Sequence, residues 1–348
     1  MTFNHGKKTS YGRNILILLL LMAVTFAVIF GGEDFSAFLS ALKRAKIPWL
    51  LFGLLCMFIF VSCEALNMHQ ISGTLGFPLK FFRCEQYAFI GFYFSSITPS
   101  ASGGQPVQIY YMKKDRISLA HSSFMILFIV MAYQIAMLLL AGLMALRHPA
   151  LALETAGHLK YLLPFGLIVN GSAAAVMGLL LCSRRIVEKC LRFFITLGSR
   201  IKLIKSREQA LQHSFRELAN YHDHARKIKS NPLLFMRVLL VSLVQITALS
   251  FIPYCVYRAL GFSAFTPGEL ITCQSILTLA ASAIPTPGAV GAAEGGFLFA
   301  FQNIFGTETI KTAMLLSRGI SLYLFLILSF IVCMAVQIRI SRRSEILK

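Results

Sequence analysis

Chemistry in this chain is concentrated where apolar sequence breaks. Ala281–Gly296 reads ASAIPTPGAVGAAEGG, with two prolines, four glycines and a single carboxylate, Glu294, between hydrophobic runs. Ser95–Pro106, SSITPSASGGQP, has the same grammar. A helix interrupted in this way leaves free N–H groups at the start of its second half, and these suit a phosphate or a carboxylate. Ser100, Ser102, Gly103, Gly104 and Gln105 offer hydroxyls, close backbone approach and an amide in the first break. Thr286, Gly288 and Gly291 do the same in the second. Glu294 can meet a cationic group, carry a proton, or pair internally with Arg318 or Lys311; the internal pair is the commonest fate of such a charge. Glu64, within another apolar run, is a functional candidate by the same rule, or an interfacial carboxylate in water.

The elements that must position these residues are membrane helices. The 348 residues are 57% hydrophobic and 14% charged, with mean hydropathy +0.71, whereas soluble domains carry about 25% charged residues. A net charge of +19 raises nucleic acid as a partner, but the basic residues gather beside apolar spans, where they meet anionic headgroups. No nucleic-acid binding is expected. The eight cysteines are scattered without paired spacing, so neither a disulfide framework nor a zinc site is indicated. His222 and His224 are read as a solvated helix face rather than metal ligands, and no cofactor is expected.

Spans are predicted at 14–30, 48–68, 118–146, 161–182, 232–260 and 320–338. The apolar limbs around the two breaks are shorter than the ~20 residues a crossing needs, so each is read as a re-entrant hairpin. The expected fold is an all-α polytopic membrane protein, with about six spanning helices and two re-entrant broken hairpins. A short outer amphipathic helix is expected over 34–46, and a basic amphipathic cytoplasmic insert over 183–231. This topology leaves eight of the 33 Lys and Arg outside, so both termini are expected in the cytoplasm of a cell with a bacterial-type plasma membrane.

Residues 1–146 and 161–338 then form two halves of opposite orientation within one membrane domain, an inverted repeat. Pro48 and Pro232 lie 184 residues apart, and Pro99 and Pro285 lie 186 apart. Paired broken segments in such repeats mark transporter sites. No HExxH, G-x-S-x-G or Walker A pattern competes, and catalytic residues are not assigned.

Ile97–Pro106 with Tyr110–Lys114, Pro285–Glu294, and Phe215–Tyr221 resemble the signature segments of the lysylphosphatidylglycerol synthase transmembrane family, which includes the flippase region of the multiple peptide resistance factor. The resemblance covers nearly the whole chain. It implies a flippase for aminoacylated phosphatidylglycerol or a related aminoacyl- or glyco-phospholipid, contributing to resistance against cationic peptides. Full-length members add a cytosolic domain that transfers lysine from lysyl-tRNA; this chain is expected to carry the membrane half alone, so lysyltransferase activity is the alternative. A membrane scaffold for a separate synthase is another. Expected partners are anionic and aminoacylated phospholipids, with a separate aminoacyltransferase and a homodimer left open.

Overall fold

The computed structural model describes residues 45–182 and 230–346, with isolated positions in 40–43 and 185–196. The predicted first span, most of the 34–46 helix, nearly all of the basic insert, and His222 and His224 lie outside the described residues. Residues 46–348 form one compact unit, separate from 1–45, and all that follows belongs to it.

Five helices among the described residues are long and apolar enough to cross a membrane: Ile47–Leu75, Leu119–Arg147, Leu162–Leu181, Pro232–Ala259 and Gln302–Ile340. The chain is a multi-pass, all-α membrane protein. In order it forms α1 (Ile47–Leu75), α2 (Phe81–Ile97), α3 (Gly104–Lys114), α4 (Leu119–Arg147), α5 (Pro149–His158) and α6 (Leu162–Cys182). Then come α7 (Pro232–Ala259), α8 (Pro267–Ala281), α9 (Ala292–Ala300), α10 (Gln302–Arg318) and α11 (Leu324–Ile346). At about 1.5 Å per residue, the 29 residues of α1 reach roughly 43 Å, more than the ~30 Å hydrocarbon core.

Local sequence accounts for the helix ends. Pro48 sits in the first turn of α1, where its missing N–H is no loss. Gly76, at φ 90°, closes the same helix, with Phe77 N–H bonding Ser72 O at 3.0 Å. Ser118 caps α4 and Asn231 caps α7 through side-chain oxygens. Thr266 opens α8 in a capping box with Glu269, whose Oε2 accepts from the Thr266 N–H at 2.7 Å.

Packing relies on small residues and a few buried amides, because lipid removes the hydrophobic drive between helices. α1 and α7 run antiparallel: Lys46 N–H meets Ala259 O at one end, and Asn67 Nδ2 donates to Ser242 Oγ at 3.1 Å toward the other. Ala136, Met137, Leu140 and Ala141 of α4 close a core with Leu239, Ile246 and Leu279. Gly166 lets α6 lie on the α8 backbone, where an added Cβ would come 2.9 Å from the Ala280 Cα. Asn170, one turn on, donates to Gly166 O and Ser282 Oγ at 2.7 and 2.9 Å and so ties α6 to the α8 terminus. Large apolar side chains such as Leu146, Leu153 and Ile168 face outward, as lipid allows.

Boundaries differ in places from the sequence reading: the helix read at 48–68 runs on to Leu75. Between the spans read at 118–146 and 161–182 the chain forms a further helix, α5, started by Pro149. The helical run that carries the last predicted span, 320–338, starts already at Gln302, because α10 continues through Gly319–Tyr323 into α11.

Candidate functional site

Both breaks are wound around one four-residue turn. Thr98 leaves α2 at φ −113°, ψ 146°; Pro99 follows, and Ser100 and Ala101 both sit at φ 53°. Thr286 has φ −110°, ψ 147°; Pro287 follows, with Gly288 at φ 59° and Ala289 at φ 54°. The structural partner of Pro99 is therefore Pro287, not Pro285, which corrects the register read from the proline spacing. Pro285 instead lies in the exit from α8, just before this turn. Left-handed conformations cost an L-residue about 1–2 kcal/mol, so Ser100, Ala101 and Ala289 are held there by their surroundings.

In the first hairpin the turn is fixed by Thr98. Its Oγ1 donates to Phe94 O at 2.6 Å and accepts from Gly103 N–H at 2.9 Å. The limbs α2 and α3 touch through glycines. A Cβ on Gly91 would overlap the Gln108 amide, and one on Gly104 would lie 2.7 Å from Gly91 O. Ser100 and Ser102 are exposed, and Ser102 Oγ donates to Pro99 O at 2.8 Å. Gly103 and Gln105 are half-buried and Gly104 is buried. At a helix start the first amides have no partner within the helix, so Gly104 and Gln105 present theirs at the break.

The second hairpin divides that work differently. Gly291 N–H, equivalent to Gly103 N–H, donates to Glu294 Oε2 at 2.6 Å. Glu294 Oε1 accepts from Arg318 Nε at 2.7 Å, and Arg318 Nη2 donates to Gly288 O at 2.8 Å. Both side chains are largely buried, at 13% and 15% exposure. Of the partners considered for Glu294, the fold supplies Arg318. With its counterpart's role taken by Glu294, the Thr286 hydroxyl is enclosed without a hydrogen-bond partner among the described residues.

The two breaks lie against each other. A Cβ on Gly288 would be 3.2 Å from Ser96 O of the first hairpin and 3.3 Å from a methyl of Leu322. Glycine serves both the left-handed turn and this approach.

Glu64 stands apart from this group, behind the first hairpin. Its Oε1 accepts from Gln108 Nε2 at 2.6 Å, and the same nitrogen donates to Tyr87 O at 3.1 Å. Glu85, on α2, accepts from Ser62 Oγ at 2.9 Å. Where the hairpin limbs end, Asp115 accepts from Arg83 Nε at 2.7 Å and from the Tyr87 hydroxyl. Arg83 also bonds Gln86 and lies 5.2 Å from the centre of the Tyr87 ring. Sequence reading missed Thr98, Gly91, Gln108 and the Arg83–Asp115 pair as parts of the site. The pair did carry a signal, opposite charges flanking one short hairpin. Among the described residues no three His, Cys, Asp or Glu side chains gather as metal ligands.

A profile described as the lysylphosphatidylglycerol synthase TM region matches residues 14–329. A "UPF0104 membrane protein" of Archaeoglobus fulgidus is 26% identical over 322 residues, covering 87% of this chain and 91% of its own length.

Proposed function

The chain belongs to the lysylphosphatidylglycerol synthase TM region family, and from that premise we propose that it is a lipid flippase or transporter. Its cargo is an aminoacylated or otherwise modified anionic phospholipid such as lysylphosphatidylglycerol, and the paired breaks are its binding site. The observation that carries this reading is the contact between two Thr-Pro-Xaa-Ala turns, at Ser96 and Gly288. Broken backbone is tolerated at membrane depth only within protein or beside water, and paired breaks in two halves are how transporters build central sites. We read residues 1–146 and 161–338 as the inverted halves; the antiparallel α1 and α7 and the matching turns support it.

The polar groups suit such a headgroup. Amides of Gly104 and Gln105 and the hydroxyls of Ser100, Ser102 and Thr286 suit phosphate oxygens. Arg318 is the cation best placed to meet a phosphate, exchanging Glu294 for it, and Glu294 is then free to face the ammonium of an aminoacyl group. Movement toward the outer leaflet would reduce surface negative charge and repel cationic peptides. The basic insert would face anionic lipid in the cytoplasmic leaflet of a cell membrane.

Translocation of fluorescently labelled lysylphosphatidylglycerol in proteoliposomes tests the proposal. Gly103→Leu, which drives a side chain into Thr98, and Glu294→Ala should each slow it at least tenfold. Unchanged rates in both variants would overturn the reading.

A further inference from the structure

The helical run Gln302–Ile340 is irregular at two places around Arg318. Gly306 has φ 72° and ψ 162°, and Gly319–Tyr323 is wound as a π-helix, with Leu324 N–H reaching back to Gly319 O. A π turn is an α-helix carrying one residue too many, and it persists where neighbours hold it.

Here the neighbours are the second break on one side and α1 on the other. Arg318, at the mouth of the turn, bonds Gly288 O and Glu294. Leu322, inside it, places methyls 3.3 and 3.5 Å from the Cβ position of Gly288. Ile320 points elsewhere, into the notch left by Gly53 on α1, its Cδ1 3.2 Å from that Cβ position. Beyond its own stretch of helix, nothing packs within 4 Å of the Cβ position of Gly319, so that face of the turn is not pinned by a neighbour.

We propose that the π turn Gly319–Tyr323 is the hinge that opens the second break. In the wound state seen here, Arg318 and Leu322 both press on Gly288 while Ile320 anchors the turn at Gly53. Passing the extra residue from the turn to the irregular point at Gly306 rotates residues 307–318 by about 100° against α11, since each residue of an α-helix adds that angle. No hydrogen bond from Arg318 survives such a rotation, so Arg318 leaves Gly288 and Glu294, and rewinding the turn itself redirects Leu322. The device is two-state because a helix accommodates the extra residue or does not. The motion itself needs nothing from the transport reading; only its purpose, opening a headgroup pocket, rests on it.

Deleting Ser321 removes one residue from the turn while keeping Ile320 and Leu322. Hydrogen–deuterium exchange on the full-length protein in nanodiscs would follow peptides covering 286–295. The deletion should speed exchange of the Ala289 and Gly291 amides at least tenfold, with helix content retained. Exchange as slow as in the wild type would overturn the hinge, whatever transport does. Faster exchange with unaltered lipid translocation would uphold the hinge and count against the transport reading instead. If the deletion does not fold, Leu322→Ala keeps the chain length, empties the contact on Gly288 and should raise exchange in the same peptide; no change there would overturn the proposal.

Discussion

Thr98 and Thr286 enter their turns with nearly the same backbone, φ −113°, ψ 146° against φ −110°, ψ 147°, yet their hydroxyls have different work. Thr98 caps Gly103, whereas Gly291 is capped by Glu294 and the Thr286 hydroxyl finds no hydrogen-bond partner among the described residues. One turn is self-contained, and the other depends on an ion pair with α10.

That dependence makes the ion pair testable. Glu294→Gln leaves Arg318 without its buried counter-charge and should cost about 3 kcal/mol, by analogy with other broken buried pairs. Arg318→Lys keeps the charge but cannot hold Glu294 and Gly288 O through two nitrogens of one planar group. Its midpoint in thermal unfolding should fall less than that of Glu294→Gln. Equal, negligible shifts in both would show that the pair does not hold the break.

Gly104→Ala should destabilise the first hairpin by about 1–3 kcal/mol, the usual cost of overpacking, because the new methyl meets the immobile carbonyl of Gly91. Gly91→Ala meets only the flexible Gln108 side chain, which yields by abandoning Glu64 and Tyr87 O. In a Gln108→Ala background the penalty of Gly91→Ala should largely vanish. Thermal unfolding of the four proteins forms a double-mutant cycle that checks it.

Asp115 gathers Arg83 and Tyr87 where α2 and α3 end, at about 21% side-chain exposure. Asp115→Asn should therefore loosen the hairpin ends by about 1–2 kcal/mol, more than an open surface pair and less than the Glu294 pair. Proteolysis near 113–118 should accelerate; an unaltered cleavage pattern would contradict the role.

The start of α8 carries a pH dependence. The Glu269 carboxylate accepts from Thr266 N–H, which holds its pKa below the ordinary carboxylate value. A depressed folded-state pKa adds stability that is present above the unfolded value of about 4.3 and lost as pH falls through the lower folded value. Unfolding midpoints of wild type and Glu269→Ala should differ at pH 6 and converge as the solution is acidified toward pH 3. A constant difference across that range would assign the effect to packing alone.

Much of this architecture was legible in the sequence because it is decided locally. Hydropathy and length mark the crossings, and proline with glycine marks where a helix cannot continue, so four of the five described spans and both breaks stand close to where the residues put them, while the last helical run starts earlier, at Gln302. Arg318 and Lys311 were both plausible partners for Glu294 from charge alone; only packing α10 on α9 chose Arg318. Pro285 and Pro287 are chemically the same residue, and their roles separate only when backbone angles pair Thr286 with Thr98. The π turn left no mark, because an extra residue in an apolar run changes neither hydropathy nor length appreciably. Local composition determined where backbone is broken; which atoms meet across the breaks was decided by helix packing, which brings together residues as distant in the chain as Ser96 and Gly288.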